Sequence, residues 1–253
     1  MPTPLPNDKQ SAVVTGGSGG VGAAIVRALH RAGYRTIIAD IDEAAATALA
    51  HKLDASGQTA LAFRLDISKP EDFRDVLKQT IEHWGSVEVL VNNAAVTRAQ
   101  PVLEIETSEF NEILATNAGG TFSGCKFFGS YFKERGYGRI INMASLAGQH
   151  GGTATGAHYA ASKGAILTLT KVFARDLGGF GVTVNAISPG PLDTPMVRAI
   201  VGEVGLDAAI AAIPVRKLGD PGFIADMVVM LASRRSAFVN GACWDANGGL
   251  FMR

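Results

Sequence analysis

Short runs of β-branched and other apolar residues recur along the chain at Ser11–Thr15, Thr36–Ala39, Ala60–Leu65, Val87–Val91, Arg139–Met143 and Val182–Ile187. Each is apolar almost throughout, the pattern of a strand covered on both faces. Between them lie longer stretches with helical spacing of apolar positions: Val21–Ala32, Glu43–Ala55, Glu71–Trp84, Ser108–Phe132 and Ala157–Leu177. Strand and helix alternate, and alternation of this kind builds a parallel sheet wrapped by helices. The expected fold is therefore α/β, a doubly wound, Rossmann-like parallel sheet in a single domain spanning 1–253. Ser68-Lys69-Pro70-Glu71 reads as a capping box, and Asp220-Pro221 as an N-cap residue followed by proline at the first helical position. The alternation breaks at 192–214, where alanine, valine and isoleucine with Gly202, Gly205 and few charges suit a mobile substrate flap or a surface pair of helices.

Composition narrows the partners. Lys+Arg and Asp+Glu both number 23 in 253 residues, so no basic excess exists to neutralise nucleic acid or an anionic membrane. A small-molecule substrate is the expectation. Cys125 and Cys243 are too few and too isolated for a disulfide framework or a metal site, and read as reduced thiols. Residues 1–10 carry three prolines and no apolar core, unlike a signal peptide or an anchor, so the expected location is the cytoplasm.

Candidate chemistry begins after the first strand, at Thr15-Gly16-Gly17-Ser18-Gly19-Gly20-Val21-Gly22. Such a turn lets backbone amides and a helix N-terminus approach a pyrophosphate. Asp40 follows at the end of the second strand, 18 residues beyond Gly22, near the spacing of the acid that accepts hydrogen bonds from an adenosine ribose. A carboxylate about 4 Å from a 2′-phosphate would repel it by roughly 4 kcal/mol at an effective dielectric of 20. Ser18, Gly19 and Ile41, the neighbouring positions, offer no offsetting cation, and Arg35 lies at the far end of the strand. The cofactor expected is NAD, preferred over NADP.

Tyr159-Ala160-Ala161-Ser162-Lys163 opens a helical pattern and sets Tyr159 and Lys163 on one face. A tyrosine of ordinary pKa, about 10, needs a nearby positive charge to act as a base at neutral pH. Alone the spacing is common. In order and spacing, however, Thr15-Gly-x-x-x-Gly20-x-Gly22, Asn92-Asn93-Ala94-Ala95, Asn117, Ser145 and Tyr159-x-x-x-Lys163 resemble the short-chain dehydrogenase/reductase family. Asp66-Ile67, Pro189-Gly190-Pro191-Leu192-Asp193-Thr194 and Asn247-Gly248-Gly249 extend the resemblance from about Ser11 to Gly249.

The resemblance implies an oxidoreductase that moves a hydride between nicotinamide and a secondary alcohol or ketone. Ser145 would hold the substrate oxygen and Tyr159 give or take its proton. Lys163 would bind the nicotinamide ribose and lower the tyrosine pKa, while Asn117 would hold a water linking Lys163 to solvent. No metal is required. The resemblance also assigns the adenine edge to Asp66 and the backbone of Ile67, wall contacts to Asn93, and the carboxamide to Thr194 and the backbone at Leu192; Asn92 reads as a brace between central strands. It implies a homotetramer as well. Two departures stand out: Ala95 where glycine is usual, and Asn247 where the closing acid is usual. Ser145 and Tyr159 are 14 residues apart, slightly more than is common, so the loop 149–156 is expected to shape the pocket, with His150 and His158 read as solvated loop residues or substrate contacts. A 3-oxoacyl-thioester reductase is the runner-up, weakened because acyl-carrier-protein reductases of the family usually favour NADPH and carry a basic residue in the glycine-rich turn. A nucleotide-sensing protein without turnover, or a structural interaction module, would leave Asn117, Ser145, Tyr159 and Lys163 unexplained.

Overall fold

The computed structural model describes residues 10–152, 155–194 and 205–252. Seven strands form one sheet: β1 (Ser11–Thr15), β2 (Arg35–Asp40), β3 (Ala60–Arg64), β4 (Val89–Asn92), β5 (Gly138–Met143), β6 (Val182–Pro189) and β7 (Cys243–Ala246). Their order is β3-β2-β1-β4-β5-β6-β7, every neighbouring pair parallel. The order reverses between β1 and β4, which leaves a crevice outside the carboxyl ends of those strands, the place where open α/β sheets take their ligands.

The helices are α1 (Gly20–Arg31), α2 (Glu43–Leu53), α3 (Pro70–Trp84), α4 (Thr107–Leu114), α5 (Gly120–Arg135), α6 (Ala147–His150) and α7 (Ala157–Leu177), then α8 at 205–212 and α9 (Pro221–Ala232). They cover both faces. Ile25, Val26 and Leu29 of α1 pack with Ile224, Val228 and Leu231 of α9 over Val14, Ile38, Val91 and Ile141 on one side. On the other, Phe73 and Val76 of α3, Phe128 and Phe132 of α5 and Ala174 and Leu177 of α7 cover Val13, Ile37, Leu90 and Val184. Successive strand residues therefore point into two cores, which is why the strands read as continuous apolar runs. Phe128 and Phe132 are core residues; Phe127 and Phe173 are only partly buried.

Six of the seven strands fall where the apolar runs lie. β7 was not anticipated: it is four residues long and mostly half-exposed at the sheet edge, so it lacks the apolar run of a covered strand. The expected helix Ser108–Phe132 is divided by a π-helical turn at Ala115–Gly119. The capping box also requires correction. Lys69, not Ser68, precedes α3, with no side-chain cap; the Ser68 hydroxyl instead donates to Asp66 Oδ1 at 2.7 Å, because a local Asx-type turn competes for the serine. Asp220 does cap α9, accepting from Gly222 N at 2.8 Å. Of the expected flap at 192–214, residues 195–204 lie outside the described residues, as does most of the tail; 205–212 form α8. Leu192 is buried and bridges to Gly219. No helix among the described residues is long and apolar enough to cross a membrane.

Candidate active site

The glycine-rich turn joins β1 to α1 above the crevice. Gly16 adopts φ 60°, and a Cβ there would lie 2.8 Å from Ala94 Cα; a Cβ on Gly22 would collide with the Gly16 carbonyl. Only glycine lets the turn, the start of α1 and the Asn93–Ala94 segment approach this closely. Thr15 Oγ1 accepts from the amides of Asn93 and Ala94 at 3.0 and 3.1 Å, and Asn93 Nδ2 donates to the carbonyls of Thr15 and Gly16, both at 3.0 Å. The walls of the crevice are thereby locked together. Gly19 and Gly20 remain exposed, and α1 begins at Gly20 without a side-chain cap, so its first amides face outward over the crevice. Val21 packs partly against the core below.

Asp40 stands at the carboxyl end of β2, 9% exposed. Its Oδ2 accepts from Ser18 N at 2.9 Å and its Oδ1 from Asp42 N at 3.1 Å. The carboxylate thus sits beside the glycine turn, while Ile41 is 61% exposed next to it. Arg35, at the other end of the strand, stacks on Trp84. Asp66 is held below the usual carboxylate range, first by the Ser68 hydroxyl, and its amide donates to Asp72 Oδ2 at 2.8 Å. Ile67 packs against Gly120, where a Cβ would approach the Ile67 carbonyl to 2.8 Å.

β5 ends at Met143, and Ser145 follows. From the first turn of α7, Tyr159 reaches toward it, bringing its hydroxyl within electrostatic influence of the serine hydroxyl. Burial raises the Tyr159 pKa above its ordinary value, while the Ser145 hydroxyl works against the rise. One helical turn on, Lys163 is 3% exposed. Its Nζ donates to Met143 O at 2.7 Å and lies 5.6 Å from the Tyr159 ring centroid. Burial pushes this lysine down to about 8, because an ammonium shielded from water loses hydration.

Asn117 occupies the π-helical turn and is fully buried. Its Nδ2 donates to Val96 O at 2.9 Å and to Ser162 Oγ at 3.1 Å, and its Oδ1 accepts from Val96 N at 2.8 Å. Both amide hydrogens are therefore committed, and the side chain braces the segment after β4 against α7. Ser162, which sequence reasoning passed over, completes that brace by donating to Tyr159 O at 2.7 Å; its place inside Tyr159-x-x-x-Lys163 was the available signal. Asn92 behaves as a brace too: it pairs with Asn142 across β4 and β5, Nδ2 to Oδ1 at 2.9 Å, and Asn142 continues to Thr170 at 3.0 Å.

Beyond β6, Gly190 N donates to Ala246 O at 2.9 Å and Pro189 pairs with Ala246. Leu192 and Thr194 are buried at the near end of the 192–214 stretch. Ala95 is exposed beside the crevice, so the extra methyl has room. Asn247 is explained by its amide: Nδ2 donates to Phe251 O at 3.1 Å, a bond a carboxylate could not make. Gln149 was expected only as a loop residue; it ties α6 to β6 and β7, accepting from Ser188 Oγ at 2.9 Å and donating to Asp245 Oδ1 at 2.6 Å. His150 is exposed as expected, with Nδ1 accepting from Gly152 N at 2.9 Å. His158 overturns its reading as a solvated loop histidine: it is 0% exposed, because it lies on the inner side of the first turn of α7, against α4.

A doubly wound sheet with a dinucleotide cradle at its switch point, and a hydroxyl pair backed by a buried lysine beside it, defines an oxidoreductase of the Rossmann class. The comparisons with known proteins narrow the class. A family model described as enoyl-(acyl carrier protein) reductase matches residues 16–251. The chain is 37% identical to an acetoacetyl-CoA reductase of Rhizobium meliloti, over 95% of this chain and 98% of that one. It is 36% identical to a 3-oxoacyl-[acyl-carrier-protein] reductase of Vibrio cholerae, over 95% and 97%, and 32% identical to an uncharacterized oxidoreductase of Mycobacterium bovis, over 96% and 97%. The chain belongs to the short-chain dehydrogenase/reductase family.

Proposed function

We propose that this protein is an NAD(H)-dependent oxidoreductase that interconverts a secondary alcohol and a ketone, with Tyr159 as general acid and base. The observation that carries the reading is the Ser145–Tyr159 hydroxyl pair with Lys163 held behind it. A nicotinamide dinucleotide, when bound, supplies or accepts the hydride. The cradle at Gly16, Ser18, Gly19, Gly20 and Gly22 suits its pyrophosphate, since a Cβ at Gly19 or Gly20 would meet nothing within 4 Å and α1 starts there without a side-chain cap,. Asp40 is placed to accept from the adenosine ribose hydroxyls and to repel a 2′-phosphate. The chain's own residues then have separate tasks. Ser145 donates a hydrogen bond to the substrate oxygen. Tyr159, protonated at neutral pH, delivers its phenolic proton to that oxygen in reduction and recovers it in oxidation. The Lys163 ammonium favours the phenolate that each delivery leaves, and Asn117 keeps Val96 and Ser162 in place beside the pocket. Two hydroxyl groups converging on one point suit a carbonyl oxygen, with its two lone pairs, better than a carbon–carbon double bond.

A 3-oxoacyl thioester is the second reading of the substrate, favoured by the names of the relatives from Rhizobium meliloti and Vibrio cholerae. A cytoplasmic homotetramer is the expected setting, and the partly exposed Phe122–Phe173 pair, 5.8 Å between centroids, offers apolar surface for packing between copies. NADH and NADPH consumption with simple ketones, acetoacetyl-CoA and crotonyl-CoA tests the substrate and cofactor together. Ketone reduction with NADH is expected. Crotonyl-CoA turnover without ketone turnover, or NADPH preferred throughout, would overturn the reading.

A further inference from the structure

α7 starts behind Gly156, which has no side chain to cap it. The first four amides of a helix lack intrahelical acceptors, and Tyr159 N–H is among these. It is met by the neighbouring side chain: His158 Nδ1 accepts from Tyr159 N at 2.8 Å. A Cβ at Gly156 would strike the imidazole at Cε1, so the ring occupies the place of the missing cap. His158 is wholly buried. Its Nε2 faces Glu109 Oε1 of α4 at 3.7 Å, beyond hydrogen-bond length, and has no other partner among the described residues. Glu109 in turn lies 3.3 Å from Arg98 Nη1, and the Arg98 carbonyl accepts from Gly156 N at 3.2 Å. The cluster joins the segment after β4, α4 and the start of α7 around one ring.

Nδ1 accepts only when it carries no proton, so the proton of this imidazole sits on Nε2, facing the carboxylate. A second proton, on Nδ1, would set two donors against each other and open the cap. We propose that His158 is a positioning residue for Tyr159: its Nδ1 lone pair holds the first turn of α7, and hence the distance between the Tyr159 phenol and Ser145. The proposal rests on the reading of Tyr159 as the proton-transferring group. The charged and titratable groups facing the ring are Glu109 of α4, Arg98 after β4 with Glu112 at 3.4 Å on its other branch, and Tyr159 on α7 itself.

Two variants separate the cap from mere packing. His158→Asn places Oδ1 where Nδ1 stands and keeps the acceptor; His158→Gln keeps bulk but carries its amide oxygen one bond further out, where Nε2 stands, away from the Tyr159 N–H. Since small misplacements of a reacting group cost up to about 10²-fold, His158→Gln is expected to lower kcat about tenfold or more with cofactor affinity unchanged. His158→Asn is expected to restore kcat. Hydrogen exchange at the Tyr159 amide, read by NMR on the intact protein, should be slow in the wild type and His158→Asn and fast in His158→Gln. Wild-type kcat in His158→Gln, or a His158→Asn protein as impaired as His158→Gln, overturns the positioning role. Equal amide exchange in all three overturns the cap, and that measurement stands even if the wild type reduces no ketone, which would instead sink the reading of Tyr159.

Discussion

Charge at Asp40 offers the most direct quantitative test of the cofactor site. The carboxylate is 9% exposed, anchored by Ser18 N and Asp42 N, so it cannot swing far from an incoming ribose. A phosphate about 4 Å away would be repelled by roughly 4 kcal/mol at a dielectric of 20, and by about half that where the exposed Gly19–Gly20 side admits water. At 1.4 kcal/mol per tenfold, this corresponds to about 30- to 10³-fold against NADP. Asp40→Asn removes the charge and keeps the shape, but its single carbonyl cannot serve both amides and the ribose, at a cost of about 1–2 kcal/mol in NAD binding. Titration calorimetry with NAD+ and NADP+ is thus expected to show NADP+ tightening about 30-fold or more and NAD+ weakening about tenfold, the gain shrinking as salt rises. If the ratio of the two affinities moved less than about threefold, the carboxylate would not be the discriminating charge.

Other perturbations probe the remaining parts. Tyr159→Phe should leave NADH binding intact while lowering kcat by about 10²- to 10⁴-fold; normal turnover would remove Tyr159 from the mechanism. Gly124→Ala drives a Cβ onto Asn92 Oδ1 and within 3.1 Å of Phe73. Overpacking of this kind costs about 1–3 kcal/mol, so calorimetry should find Tm lowered by about 3–10 °C, and an unchanged Tm would mean that the Asn92–Asn142 brace yields. Lys163 falls from 10.5 to about 8 on folding, so between those values the unfolded chain binds more protons and stability gains with rising pH; below about 8 both states are protonated and the contribution is level. Urea unfolding should therefore show the wild type gaining on Lys163→Met by up to about 3 kcal/mol from pH 8 to 10.5. A difference flat across that range would place the ammonium in water.

Short-range order decided much of this protein. Continuous apolar runs alternating with helical spacing dictate a covered parallel sheet, since each pattern repeats within a few residues and depends on nothing remote. The glycine turn after β1, the acid at the end of β2 and the shared face of Tyr159 and Lys163 are likewise local, and all are where the chain order puts them. β7 escaped because four half-exposed residues at a sheet edge carry no apolar signature. What the fold alone decided are contacts between elements. Ser145 meets Tyr159 because β5 and α7 lie side by side. The π-helical turn aims Asn117 at Val96 and Ser162, and α4 seals His158, which its loop-like neighbours had suggested was wet. Pairings of that kind depend on sheet order and on packing across many residues, and no pattern within one segment encodes them.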